Sequence, residues 1–149
     1  MPVNVLKLIP TQPQYVPDAS ARQQARNLLA SYVPEATSVK ETITNDVRFI
    51  DQGSNFERVK CPIDGTELDL EWWQQAMDAA YQTRFTDLSV ILPCCGTVSS
   101  LNDLHYESPA GFARFVLEAD SPNTDLSDEQ IHSLEEILEC ELRKIWAHY

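Results

Sequence analysis

Residues 110–118 read Ala-Gly-Phe-Ala-Arg-Phe-Val-Leu-Glu and predict a β-strand, because aromatic and aliphatic residues dominate a short run. The turn residues Ser121-Pro122-Asn123 end it. Comparable short runs occur elsewhere in the chain and predict further strands. These runs are residues 3–9 closed by Pro10, 39–43 and 47–50 with a turn or bulge at Asn45-Asp46, 56–60, and 89–92.

Two helices are predicted between these strands. Ser20, with Gln23 three residues later, forms a capping box for the first helix, and Pro34 ends that helix. Asp69 is a good N-cap for the second helix, whose apolar face begins at Trp73. Each start therefore has a side chain that can accept a hydrogen bond from the free N–H groups of the first turn.

A third helix is predicted to run from Ser127 to the end of the chain. Ser127 and Gln130 form a capping box, and apolar residues continue at helical spacing as far as Tyr149. This helix would contain Cys140 as a small buried residue. Its last turns would carry Arg143, Lys144 and His148, where the helix dipole favours cations.

The order of strands and helices predicts the fold class. Strands alternate unevenly with about three helices, which is typical of an α+β protein. We expect one mostly antiparallel sheet with the helices packed on one face. The length of 149 residues suits a single domain, residues 1–149.

The charge is strongly acidic, with 11 Lys and Arg against 23 Asp and Glu and a net charge of −12. Residues 1–60 hold seven basic and six acidic residues, and residues 61–149 hold four and 17, which make up those totals. An acidic surface repels phosphate, so we expect neither nucleic-acid nor membrane binding. A basic protein partner is the complementary expectation.

The sequence also bears on the compartment. No run approaches the ~18 apolar residues of a membrane span, and residues 1–10 lack the charged start and cleavage site of a signal peptide. We therefore expect a cytoplasmic protein. In that setting four cysteines indicate thiols or a metal site rather than a disulfide framework.

Two similar turns carry three of the four cysteines. One is Cys61-Pro62-Ile63-Asp64-Gly65-Thr66, and the other is Pro93-Cys94-Cys95-Gly96-Thr97. Each comes after a predicted strand and ends in Gly-Thr. The first resembles the Cys-Pro-x-Cys-Gly knuckle of zinc ribbons and rubredoxins, in which two such turns supply four tetrahedral ligands.

This sequence departs from the knuckle pattern at two positions. Asp64 stands where the second cysteine belongs, and Leu92 stands where the first cysteine of the other turn belongs. A carboxylate oxygen can bind Zn²⁺, and Cys94 lies close in sequence to the lost position.

These substitutions give Cys61, Asp64, Cys94 and Cys95 as an irregular candidate set, which would hold one structural zinc ion. Two alternatives stay open: a relic ribbon whose turns serve packing alone, and a vicinal disulfide between Cys94 and Cys95.

A wider resemblance covers residues 61–149. Cys-Pro-x-x-Gly, Trp-Trp, Pro-Cys-Cys-Gly, Leu-Asn-Asp-Leu, Gly-Phe-Ala-Arg-Phe and a closing Ile-Trp-Ala-His-Tyr together resemble a family of small bacterial proteins with degenerate zinc-ribbon turns. This resemblance implies no known activity. Small acidic α+β proteins of this kind are also similar to immunity or accessory proteins, which act by binding a partner.

The sequence supports three functional hypotheses. The chain lacks the G-x-S-x-G, P-loop, G-x-G-x-x-G and H-E-x-x-H motifs, so the first is a non-enzymatic accessory or immunity-like protein that binds a basic partner. The second is a small enzyme or a structural zinc protein, with its site near His105 and the four candidate ligands. The third is a homodimer closed by an exposed sheet edge or a tryptophan patch.

Overall fold

The computed structural model describes residues 3–149, which form three helices and eight strands. The α+β class is therefore confirmed. The helices are α1 Ala19–Tyr32, α2 Leu70–Tyr81 and α3 Asp128–Leu138. The strands are β1 Asn4–Pro10, β2 Ser38–Ile50, β3 Val59–Lys60, β4 Ser89–Ile91, β5 Val98–Ser100, β6 His105–Tyr106, β7 Gly111–Asp120 and β8 Leu142–His148.

A four-stranded sheet with the order β2-β7-β1-β8 forms the centre of the fold. All of its pairings are antiparallel. The apolar run that predicts β7 occupies an interior position, and its aromatic residues Phe112 and Phe115 are fully buried. The consecutive residues Phe115, Val116 and Leu117 are all buried, so both faces of β7 are covered, which accounts for its nearly continuous apolar sequence.

One hydrophobic core lies between this sheet and the helices α1 and α3. Leu6 and Leu8 of β1 and Phe115 of β7 contribute from the sheet. Leu29 of α1 and Leu134 of α3 contribute from the helices. Full burial of each such side chain stabilises the fold by about 1.5–3 kcal/mol.

A second core contains α2 and two small two-stranded sheets, one formed by β3 and β6 and the other by the hairpin of β4 and β5. Met77 and Ala80 of α2 pack there with Phe112 of the central sheet. Cys61 and Leu92, which come directly after β3 and β4, are buried in the same core. The second core thus positions both of the cysteine-containing turns.

Asn102 and Arg143 link the second core to the central sheet. The Asn102 side chain donates to the carbonyl of Thr11 at 3.0 Å and accepts from the N–H of Phe112 at 3.1 Å. Arg143 of β8 donates to the backbone carbonyls of Asn102 and Ala110, both at 2.9 Å. These bonds fix the segment between β5 and β7 against the sheet.

The prediction of one long C-terminal helix is wrong. Helix α3 ends at Leu138, Glu139 has a left-handed conformation with φ 58°, and residues 142–148 form β8. Each β8 residue pairs with a residue of β1, from Asn4 opposite His148 to Pro10 opposite Leu142. The apolar residues fit a strand as well as a helix, since Ile145 and Ala147 alternate into the interior.

This change relocates the residues assigned to the end of that helix. Arg143, Lys144 and His148 lie on a strand, so no helix dipole acts on them. Cys140 lies in the short connection between α3 and β8 and is half-buried. Tyr149 comes directly after the strand and is exposed.

Smaller differences concern the starts of elements. The first helix is capped by Asp18 rather than Ser20, because the Asp18 carboxylate accepts from the N–H of Ala21 at 2.8 Å. The strand predicted at residues 56–60 includes only Val59–Lys60. Residues 39–50 form one strand whose pairing shifts between Ile43 and Arg48, which confirms the predicted bulge.

The caps predicted for the other two helices are confirmed. The Asp69 carboxylate accepts from the N–H of Glu71 at 2.9 Å at the start of α2. Ser127 and Gln130 form the predicted capping box of α3. Within residues 3–149, none of the helices is both long enough and apolar enough to cross a bilayer.

Candidate metal site

The first turn, residues 61–66, connects β3 to the segment that leads into α2. The N–H of Cys61 donates to the carbonyl of Thr66 at 2.8 Å, and the N–H of Gly65 donates to the carbonyl of Cys61 at 3.0 Å. The N–H of Ile63 donates to the Cys61 sulfur at 3.4 Å. A backbone N–H thus points at the sulfur, as the resemblance to a zinc knuckle implies.

The second turn, residues 92–97, connects β4 to β5 and repeats this pattern. The N–H of Leu92 donates to the carbonyl of Thr97 at 2.9 Å, and the N–H of Gly96 donates to the carbonyl of Leu92 at 2.8 Å. The two turns therefore share their backbone hydrogen bonds position by position.

Each turn needs its glycine for conformation rather than for space. Gly65 has φ 77° and Gly96 has φ 72°, in the left-handed region that side chains with a Cβ disfavour. A Cβ at either position would meet nothing within 4 Å. The repeated glycine thus reflects the shape of the turn.

The two turns lie side by side, and they bring together the four predicted ligands. The sulfurs of Cys61, Cys94 and Cys95 and a carboxylate oxygen of Asp64 all lie within 4.8 Å of one another. Cys61 is 2% exposed, and the other three residues are exposed at the surface. These four residues could hold a metal ion.

Leu92 accounts for the contribution of Cys94 to the cluster, although Cys94 does not occupy a ligand position of the knuckle pattern. It occupies the position equivalent to Cys61 in the first turn, but its side chain is fully buried in the second core. Cys94, two residues later, reaches the cluster instead. The backbone brings Cys94 and Cys95 there without a positive φ at either residue.

Hydrogen bonds favour the charged form of two of the candidate ligands, Asp64 and Cys95. The N–H of Thr66 donates to the Asp64 carboxylate at 2.9 Å and lowers the pKa of that carboxyl group. The side-chain hydroxyl and backbone N–H of Thr97 lower the pKa of the Cys95 thiol, whose sulfur lies 3.4 Å from the hydroxyl. The Gly-Thr ending shared by the two turns therefore supports a ligand in each.

The pKa of the Cys94 thiol is shifted in the opposite direction, upwards. Partial desolvation of its sulfur, together with hydrogen bonds to the thiols of Cys61 and Cys95, raises the pKa of Cys94 to about 12. Without a cation this thiol stays protonated near neutral pH. A metal ion bound by this thiol would displace the proton, because its charge would lie directly against the sulfur.

Other candidate residues lie apart from this cluster. His105 is exposed on β6, opposite Lys60, and is not among the four residues whose ligand atoms converge. Cys140 packs against the first core, whereas the cluster borders the second. The interaction of Thr97 with Cys95 is not among the features predicted from the sequence, although the repeated Gly-Thr ending was a signal for it.

Comparison of the chain with known protein families, with curated proteins and with solved structures found no match. The resemblance to a bacterial family with degenerate zinc-ribbon turns therefore stays a prediction.

Proposed function

We propose that this protein is a non-enzymatic domain that binds one structural zinc ion through Cys61, Asp64, Cys94 and Cys95. The observation that carries the proposal is the convergence of these four ligand atoms within 4.8 Å. They come from two turns with the same backbone hydrogen bonds.

The ligand chemistry supports zinc. Thiolates select soft or borderline cations, and Zn²⁺ accepts sulfur together with a carboxylate oxygen in a tetrahedral site. A Zn–S bond of about 2.3 Å places two sulfurs of a regular tetrahedron about 3.8 Å apart. The observed limit of 4.8 Å is close to this value, so small side-chain rotations would complete the coordination.

A structural role is supported by the number of ligands and by their place in the fold. Four protein ligands fill a tetrahedral site and leave no position for a catalytic water. The two turns adjoin separate two-stranded sheets, β3 with β6 and β4 with β5, and an isolated pair of such short strands is marginally stable. A metal ion held by both turns would join them.

Metal analysis of the purified protein tests the proposal. Wild-type protein and Cys140→Ser, a control whose cysteine lies outside the cluster, should each contain about one zinc ion per chain. Cys95→Ser should contain much less, because one of the four ligands is lost. Absence of zinc from wild-type protein purified without chelators would overturn the proposal.

The charge distribution supports a second proposal, that the domain acts as an accessory protein for a basic partner. The chain has a net charge of −12, and residues 61–149 hold 17 acidic residues. Capture of partners from the native host at low and high salt tests it, since complementary charges predict recovery that falls as salt rises. Recovery of no basic protein at either salt concentration would count against it.

A further inference from the structure

The candidate metal cluster contains three free thiols that differ in their access to solvent. Cys61 is buried, whereas Cys94 and Cys95 are exposed. Their sulfurs lie within 4.8 Å of one another, although Cys61 belongs to one turn and the other two cysteines belong to the next. The same atoms can therefore serve as metal ligands or react with each other.

We propose that this cluster is also an oxidation site, at which a peroxide closes a disulfide between Cys61 and one cysteine of the Cys94-Cys95 pair. The disulfide would consume two of the four metal ligands, so oxidation would release the metal ion. The release of the metal ion rests on the proposed zinc site, whereas the formation of the disulfide does not.

The reaction balances with peroxide as the sole oxidant. The exposed thiol loses its proton and the thiolate attacks one peroxide oxygen; the O–O bond breaks, the leaving hydroxide takes up that proton, and the products are a sulfenic acid and one water molecule. The Cys61 thiol then attacks the sulfenic sulfur, an S–S bond forms, and the oxygen leaves as a second water molecule. Two thiols lose two protons and two electrons, and hydrogen peroxide takes up both and is reduced to two water molecules.

Backbone geometry favours this cross-turn disulfide over one between the adjacent cysteines. Disulfides join Cα atoms that lie about 4.4–6.8 Å apart, whereas neighbouring Cα atoms in a trans chain are only about 3.8 Å apart. The Cys94-Cys95 peptide bond is not cis. A disulfide from Cys61 to Cys94 or Cys95 avoids this restriction, because it joins residues of different turns. The sulfurs of these residues lie within 4.8 Å of one another.

The oxidised state would keep the two turns joined. In the metal-bound state the ion would connect them, and in the oxidised state a covalent bond would connect the same residues. The second core, which contains Cys61 and Leu92, would therefore keep its packing in both states. We expect metal release without unfolding.

Trypsin separates the relevant cysteines, so peptide mapping can test the proposal. Cleavage after Lys60, Arg84, Arg114 and Arg143 places Cys61 in peptide 61–84, the Cys94-Cys95 pair in peptide 85–114, and Cys140 in peptide 115–143. A cross-turn disulfide links the first two peptides, whereas a vicinal disulfide leaves peptide 85–114 alone and lighter by two hydrogens.

The experiment exposes zinc-loaded and metal-free protein to hydrogen peroxide. In both samples we expect peptides 61–84 and 85–114 to become linked, and in the zinc-loaded sample we expect zinc release to have the same time course as the linkage. The Cys140→Ser variant should behave like wild type. The double variant Cys94→Ser, Cys95→Ser removes only exposed thiols and should form no linked peptide, and Cys94→Ser and Cys95→Ser alone identify which exposed thiol reacts.

Three results would overturn the inference: a disulfide confined to peptide 85–114, a linkage through peptide 115–143, or oxidation to sulfinic acid without a disulfide. The metal-free sample keeps this test separate from the zinc proposal. If the protein holds no zinc, the proposed function fails, but the linked peptide in metal-free protein still supports the oxidation site.

Discussion

At the scale of single residues, the site depends on the glycine and the threonine that come directly after a ligand in each turn. Asp64 and Cys95 occupy equivalent positions, and each precedes a glycine with positive φ and a threonine that hydrogen-bonds to it. The sequence was sufficient to nominate all four candidate ligands, since the two turns are local features. It could not show that the two turns meet, because that depends on how α2 and the intervening strands pack.

The hydrogen bonds from Thr97 should make Cys95 the most reactive thiol of the metal-free protein. Its pKa is lowered, whereas the pKa of Cys94 is raised to about 12 and burial raises that of Cys140 to about 11. A lower pKa means more thiolate at a given pH, so Cys95 should be alkylated fastest at slightly alkaline pH.

Peptide mass spectrometry after timed exposure to iodoacetamide measures this order. Thr97→Val removes the hydroxyl and should slow the alkylation of Cys95, while Thr66→Val in the other turn should leave it unchanged. Faster alkylation of Cys94 or Cys140 than of Cys95 would disagree with the structure.

Asp64 is the residue that most weakens the resemblance to a zinc knuckle, and its replacement tests whether its position is a ligand position. Asp64→Cys should raise zinc affinity, because it completes a site of four thiolates on the same backbone. Asp64→Ala should lower the affinity, because one ligand is lost. Competition with a chromogenic zinc chelator measures both changes. Equal affinities for the two variants would show that residue 64 does not contact the metal.

At the scale of elements, α3 and the residues after it show which features the local sequence can predict and which depend on distant contacts. The capping box at Ser127 and Gln130 is a local signal, and it is confirmed. The helix end is not marked locally, because no glycine or proline lies between Leu138 and Leu142. The strand β8 forms because β1 offers a free edge along its whole length, and that partner is more than 130 residues away in sequence.

Glu139 provides a direct test of this helix end. A residue with a Cβ in the left-handed conformation costs about 1–2 kcal/mol, so Glu139→Gly should raise the free energy of unfolding by up to about 1 kcal/mol once chain entropy is included. Glu136→Gly, at an exposed position inside α3, should lower it by about 1 kcal/mol. Urea unfolding measures both. A loss of stability in both variants would mean that the helix continues through residue 139.

At the scale of the whole molecule, two hydrophobic cores share one central sheet. Strand β7 contributes Phe115 to the core of α1 and α3, and it contributes Phe112 to the core that holds the two turns. The strands and helices that build the first core are predicted mainly by hydrophobic pattern. The second core contains the predicted helix α2, but its strands have only two or three residues. Strands this short carry no periodic signal, and β5 and β6 were not predicted.

The connection between the second core and the sheet should depend strongly on Asn102. It is 5% exposed, and its amide bonds to Thr11, Phe112 and Arg143. Asn102→Ala removes the side-chain acceptor of the buried Phe112 N–H and the donor to the Thr11 carbonyl, and it should lower the free energy of unfolding by about 1–3 kcal/mol. Asn45→Ala, at the exposed bulge of β2, should change it by less than about 0.5 kcal/mol. Similar losses in both variants would show that Asn102 does not join the two parts.

X-ray absorption at the zinc edge of purified protein tests the central claim most directly, because it reports which atoms surround the metal. Three sulfurs at about 2.3 Å and one oxygen at about 2.0–2.2 Å are predicted, with one sulfur fewer in Cys94→Ser and in Cys95→Ser. A shell of nitrogen and oxygen without sulfur, or protein that takes up no zinc at all, would contradict the account.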